Sequence, residues 1–254
     1  MARRSDECRA MIEEAEKHSV SLCVCHNWLF SQSILKGGQL LKDRRVSFSA
    51  VRMRNARAEY QKTPIWVKDG KEGGILWEIG THAVYLQRYF LDKIDRVFAI
   101  SRKTMGPADD NFLVLLHTES DALGVIDISY TSTSSEYGCQ IDTKTGEQIE
   151  IDLASEYCSM KRARSPKGFA AEWTDKSLHD LKRLLKMRLG YAGKYLSSGG
   201  ARFFRRTHHT LIENYVRSIN EHVAPPVPPR EGVETVEILE AIEASIDKGA
   251  AMRV

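Results

Sequence analysis

The sequence predicts an α+β protein: an open, mainly antiparallel β-sheet with helices on one face, preceded by a remnant of a Rossmann-type α/β unit. Three observations point there. Between residues 94 and 153 short β-patterned segments follow one another in series, parted only by turn residues such as Gly106-Pro107, Ser120-Asp121 and Lys144-Thr145-Gly146. Connections that short join antiparallel neighbours. Helical periodicity frames this run on both sides. Near the N-terminus one helix and one strand, half of a β-α-β unit, stand without an earlier strand to pair with.

In chain order, Ser5 to His18 reads as a helix with Met11, Ile12 and Ala15 on its apolar stripe and Ser5 as its cap. Val20 to Cys25 is a short apolar strand of the kind buried on both faces in a parallel sheet. A second helix is expected from Ser31 to Leu41 and a strand from Arg45 to Met53, then polar, irregular chain from Asn55 to Gly70. Gly73 to Leu91 repeats Leu76, Ile79, Ala83, Leu86, Tyr89 and Phe90 at helical spacing. The strands that follow are Ile94–Ser101, Phe112–Thr118, Ala122–Thr131, Tyr137–Asp142 and Gln148–Leu153. Helices return at Ser177–Leu189, Thr210–Glu221 and Val233–Lys248, with Pro225, Pro226, Pro228 and Pro229 between the last two. The domain boundary implied is 1–30 for the α/β remnant and 31–254 for the α+β body.

Composition excludes several classes. With 42% hydrophobic and 28% charged residues, the 254-residue chain has the balance of a globular protein with a core. No run approaches the roughly 20 apolar residues of a membrane span, and no apolar stretch follows Arg3 and Arg4 as in a secretory signal, so a cytoplasmic location is expected. Five scattered cysteines show no paired spacing for zinc, and no metal site is expected.

The segment Gly73-Gly74-Ile75-Leu76-Trp77-Glu78-Ile79-Gly80-Thr81-His82 carries the chemistry. Glu78 and His82 are four apart, so on a helix they share a face and their side chains can meet. A carboxylate beside an imidazole fixes its tautomer and suits it to acid/base work. An ordinary half-exposed Glu/His pair fits the same spacing. Gly80 between them leaves room for a backbone or ligand to approach.

This segment resembles the Gly-Gly-x-x-x-Asp-x-Gly-x-His motif of the glucose–fructose oxidoreductase / inositol dehydrogenase (Gfo/Idh/MocA) family. Val20 to Phe30, ending His26-Asn27-Trp28-Leu29-Phe30, resembles that family's last dinucleotide-domain strand and the turn after it, and Asp110 through Ser129 its sheet strands. The run from His208 to Ser245 resembles its closing helix pair. The resemblance implies hydride transfer between NAD or NADP and a hydroxyl of a sugar or polyol. His82 would take or give the hydroxyl proton as the catalytic residue; Glu78, His26 and Asn27 would bind substrate. Glu78 stands where the family usually has Asp, one methylene shorter, and Trp28 and Leu29 stand where it often has a basic residue.

A pyrophosphate seat needs a strand, a glycine-rich turn and a helix N-terminus, and no Gly-x-Gly-x-x-Gly occurs anywhere. On the resemblance, the family's Glu-Lys-Pro tripeptide falls just before Met1, with about a hundred further residues, the size of a small domain, ahead of it. The chain alone is therefore expected to hold no dinucleotide and to be inactive by itself.

Residues 159 to 210 carry thirteen Lys/Arg against three Asp/Glu, a net of +10 that leaves −7 elsewhere. The helix expected at Ser177–Leu189 puts Leu178, Leu181, Leu184, Leu185 and Leu189 on one face and Lys182, Arg183, Lys186 and Arg188 on the other. Packing of the leucines on the sheet is preferred to an anionic membrane surface. Arg202, Arg205 and Arg206 suit the phosphates of a phosphorylated or nucleotide-linked sugar. Nucleic acid is not expected, for want of interleaved aromatics. Beside the oxidoreductase stand two alternatives: a non-catalytic module that self-associates into a homo-oligomer through its sheet face, and a peripheral membrane protein.

Overall fold

The computed structural model describes residues 1–69, 74–162 and 201–254, together with 181, 184 and 185. The first helix, α1 (Ser5–Lys17), starts one residue earlier than its sequence cap suggests: Arg4 is the N-cap, and the Glu7 carboxylate accepts its backbone N–H at 3.2 Å. A single 3₁₀ turn, Asn27–Phe30, leads into α2 (Gln32–Leu41) and the strand β1 (Val46–Ala56). The stretch expected to be irregular holds two short helices, α3 (Arg57–Lys62) and α4 (Ile65–Lys68). A π-helical turn at Leu76–Gly80 runs straight into α5 (Thr81–Phe90).

The meander strands are β2 (Ile94–Arg102), β3 (Asn111–Thr118), β4 (Leu123–Ser132), β5 (Glu136–Thr143), β6 (Glu147–Asp152) and β7 (Tyr157–Arg162). The helices α6 (Ala201–Asn220) and α7 (Pro229–Lys248) follow, and a two-residue strand β8 (Met252–Arg253) closes the described chain. Pro229 opens α7, where its missing N–H costs nothing, and Gly249 ends it in the left-handed conformation at φ 60°.

The strands make one open sheet in the order β7-β6-β5-β1-β4-β3-β2-β8. Every pairing is antiparallel except β1 with β4. The sequence suggests that β4 and β5, joined by a short turn, are neighbours; instead β1 is inserted between them. Two strand spacings are roughly 10 Å, and the turn spans them by crossing the C-terminal end of β1, where Ser135 Oγ accepts the Ala56 N–H at 3.0 Å. That crossover makes the parallel pair.

Alternate strand residues point to the helical layer: Val51, Met53, Ile126, Ile128, Val114, Ile141 and Ile149 are buried there with Ile34, Leu86, Leu239 and Ile242 from the helices. The helices are set along one face, with α2 against β6 and β7, α5 against β1 and β4, and α7 against β2. Arg88 ties α5 to α7 by donating to the Glu231 carboxylate at 2.7 Å and to Glu234. The opposite face carries no described helix. There Ile100, Leu113, Leu115 and Leu123 stand 54%, 43%, 49% and 54% exposed on adjacent strands, an apolar patch too contiguous for scattered surface residues.

Val20 to Cys25, expected as a strand, forms none. A strand exists only through its partners, and here the segment is held by a bond from the Val24 N–H to the Val227 carbonyl at 3.1 Å and one from the Tyr215 hydroxyl to the Ser21 carbonyl at 2.7 Å. Most of the basic helix expected at Ser177–Leu189, and Gly199-Gly200 after it, lie outside the described residues. Among the described residues no helix is long and apolar enough to cross a membrane.

Candidate functional site

The site lies at the C-terminal end of the parallel pair β1/β4, the end at which parallel strands present their loops to ligands. Asn55 comes from the end of β1, Tyr130 from the end of β4 and Tyr137 from the start of β5. The π-turn and the first turn of α5 lie over them and supply Glu78 and His82. Gly80 sits between those two, but no ligand space opens beside it. A Cβ there would stand 3.0 Å from Leu76 Cδ1 and 3.3 Å from Ile128 Cδ1, so the glycine lets the helix settle on β4.

His82 is enclosed by aromatic rings. The Trp28 indole stacks on it with centroids 4.4 Å apart and planes 21° apart, and Tyr85, three residues on, meets it edge-on. The Tyr85 hydroxyl lies 2.7 Å from His82 Nδ1 and accepts the Trp28 backbone N–H at 3.2 Å. Burial, helped by the charge of His208, holds the imidazole well below its usual pKa, at about 4, so the ring is neutral at physiological pH.

Glu78 takes a different partner. The Tyr130 hydroxyl donates to its carboxylate at 2.9 Å, and no bond joins Glu78 to His82. The segment carrying Glu78 is π-helical, with i→i+5 bonding in place of the α-helical i→i+4 that the sequence suggests. Desolvation raises the Glu78 pKa, opposed by the Tyr130 hydrogen bond. Beside them Tyr137 donates to Asn55 and turns its edge to Trp28 at 5.9 Å, while Tyr60 meets Tyr130 edge-on at 6.3 Å. Glu78 and His82 thus have separate partners, Tyr130 for the one and Tyr85 with Trp28 for the other.

His26 and Asn27, expected to touch substrate, are instead only 3% and 1% exposed. The His26 ring stacks under Tyr85 at 4.2 Å, and burial with the nearby Arg88 charge drives its pKa down to about 3. Asn27 donates through Nδ2 to Thr207 Oγ1 at 3.0 Å and lies 3.3 Å from His208 Nδ1, pinning the 3₁₀ turn to α6. The pair braces the wall behind Tyr85 and Trp28. Sequence reading missed Tyr85, Asn55, Tyr130 and Tyr137; only Tyr85, at i+3 from His82, carried a local signal.

Gly37 and Gly38 serve packing: a Cβ at Gly37 would strike Ile151 Cδ1 at 2.6 Å, and one at Gly38 the Tyr89 hydroxyl. No cluster of metal-ligating side chains occurs among the described residues. A separate cleft of about 440 Å³, between α4, the β2–β3 loop and α7, is rimmed by Asp69, Lys103, Asp109, Glu243 and Asp247.

Residues 44–151, which span β1 to β6 and so hold Asn55, Glu78, His82, Tyr130 and Tyr137, match the model of the GFO/IDH/MocA C-terminal domain. No curated protein matches the chain. Among solved structures, the WlbA dehydrogenase from Bordetella pertussis, in complex with NADH and UDP-GlcNAcA, superposes with a TM-score of 0.76 at 16% identity over 100% of this chain and 70% of that one. An NAD binding oxidoreductase from Klebsiella pneumoniae gives a TM-score of 0.76 at 17% identity over 100% and 71%. A levoglucosan dehydrogenase, in complex with NADH and levoglucosan, gives 0.72 at 14% over 100% and 71%. Identities this low speak for the shared fold.

Proposed function

Proceeding from a chain whose residues 44–151 are a Gfo/Idh/MocA C-terminal domain, we propose that it is the substrate-binding part of a nicotinamide-dependent oxidoreductase acting on a sugar, cyclitol or related polyol. His82 is the group that meets the reacting oxygen, and Glu78 binds a neighbouring hydroxyl. The observation that carries this reading is the placement of both side chains over the C-terminal end of β1/β4, each held by a tyrosine hydroxyl. A carboxylate fixed in this way accepts from substrate hydroxyls, and the half-buried Tyr137 ring supplies apolar surface for the C–H faces of a sugar. The substrates named for the solved relatives, UDP-GlcNAcA and levoglucosan among them, are of this class. NAD or NADP is the cofactor this class uses, and polypeptide outside these 254 residues would hold it, since the described residues offer no pyrophosphate seat.

His26 and Asn27 act on substrate only through the residues they brace, and the domain division falls near residue 30. Expressed together with the reading frame immediately upstream of Met1 and supplied with NAD or NADP and a panel of polyols, the protein is expected to reduce the nicotinamide. His82→Ala is expected to cut turnover by about 10²–10⁴-fold, the usual contribution of a positioned acid/base group, with the circular dichroism spectrum unchanged. Turnover equal to wild type in that variant would refute the assignment.

The uncovered apolar patch on the outer sheet face supports a second, compatible reading, a homo-oligomer that pairs these faces. Leu115, central in the patch, opposes Phe98 on β2 and Val125 on β4. Leu115→Glu should then shift the mass measured by light scattering to that of one chain; an unchanged mass would dispose of the sheet-face contact.

A further inference from the structure

The proton position on His82 is set by a residue that the functional reading does not use. Tyr85 is 2% exposed, and its hydroxyl has two described neighbours, the Trp28 backbone N–H and His82 Nδ1. The amide can only donate, so it occupies a lone pair of the hydroxyl oxygen. Among the described residues the hydroxyl's own hydrogen then has one acceptor at hydrogen-bond distance, Nδ1 at 2.7 Å. A neutral imidazole that accepts at Nδ1 carries its hydrogen at Nε2. The opposite tautomer would point Nδ1–H at the Tyr85 oxygen and leave the phenol hydrogen buried without an acceptor, a loss of about 1–3 kcal/mol for a buried donor.

We infer that Tyr85 is a positioning residue that locks resting His82 as the Nε2–H tautomer, so that a neutral ring N–H faces the substrate oxygen. The surroundings hold this arrangement in place. The Tyr85 ring is stacked on His26, and the His82 ring is stacked on Trp28, the residue whose N–H feeds the hydroxyl. Neither ring can turn without breaking a stack. A donor at this point polarises a carbonyl oxygen, or stabilises the alkoxide-like oxygen that precedes it, by preorganised hydrogen bonding. The tautomer stands on the geometry alone; the donor role toward substrate rests on the function proposed above.

Long-range ¹H–¹⁵N spectra of histidine-labelled protein read the tautomer directly, with the His82 signals identified by their loss in His82→Gln. The expected wild-type pattern at pH 7 is a single ring with hydrogen on Nε2 and a bare, hydrogen-bonded Nδ1. Tyr85→Phe is expected to move both ring nitrogens toward the averaged shifts of exchanging tautomers, an effect that loosened packing alone would not confine to this ring. An Nδ1–H pattern in the wild type overturns the inference, and that spectrum decides the matter even if Tyr85→Phe fails to fold. Addition of a polyol that turnover or calorimetry shows to bind should shift Nε2 and spare Nδ1. An unmoved His82 ring would remove the donor role and the functional reading together while leaving the tautomer intact.

Discussion

At the scale of single residues, the site is built from neutral histidines. His26 and His82 are held at about 3 and about 4, against an ordinary value near 6.5, mainly because burial opposes the charged ring. The unfolded chain therefore binds protons that the folded one refuses, and stability present above pH 6.5 is lost as the pH falls toward 4. Glu78, raised by burial, works in the opposite sense just above its ordinary value, one group against two. Urea midpoints measured from pH 7.5 down to 5 should fall steadily, and the fall should be shallower in His82→Gln; a midpoint that held level or rose would contradict the burial of these rings. Tyr130 gives a second handle. Its phenol donates to Glu78 at 2.9 Å, so Tyr130→Phe should leave a desolvated carboxylate without its donor. Polyol KM is expected to rise in that variant with little change in kcat, as for a lost ground-state contact. What the sequence revealed here was the local pair. Glu78 and His82 were legible because four-residue spacing is visible in one helix; Tyr130, Tyr137 and Asn55 were not, because they reach the site from strands far away along the chain.

At the scale of elements, the strands and long helices were legible from period and punctuation, and the departures have physical causes. Val20–Cys25 has strand-like residues and no partner. The β4–β5 connection looked like a hairpin, yet β1 lies between the two strands, a pairing that no local pattern encodes. The π-turn at Leu76–Gly80 was invisible for a related reason, since the apolar spacing of Leu76, Ile79 and Ala83 suits an α-helix equally well. Glu78, inside that turn, and His82, just after it, each take a tyrosine hydroxyl as partner. Gly80 is the tightest point of that turn. A methyl group there would press on Leu76 and Ile128 at 3.0 and 3.3 Å, so Gly80→Ala should destabilise the fold by about 1–3 kcal/mol, the usual range for overpacking a core. A melting temperature unchanged by this substitution would show that the helix does not rest on β4 as closely as described.

At the scale of the whole molecule, the described residues give the sheet one clad face and one bare one, and the site occupies the clad side at the end where β1 and β4 both finish. The bare side follows from the same strand alternation that builds the core: Val114 and Leu116 point inward, Leu113 and Leu115 outward. The sequence carries no Gly-x-Gly-x-x-Gly motif, and among the described residues Gly37 and Gly38 are packed against Ile151 and Tyr89. The whole then reads as a receptacle for a polyhydroxylated ligand, with His82 and Glu78 at its working end. Isothermal calorimetry of a polyol panel against wild type, His82→Ala and Glu78→Ala tests that claim most directly. A polyol that binds the wild-type chain should lose tenfold or more in affinity, about 1.4 kcal/mol, in each variant. Equal affinity in all three proteins would place the ligand elsewhere and contradict the account.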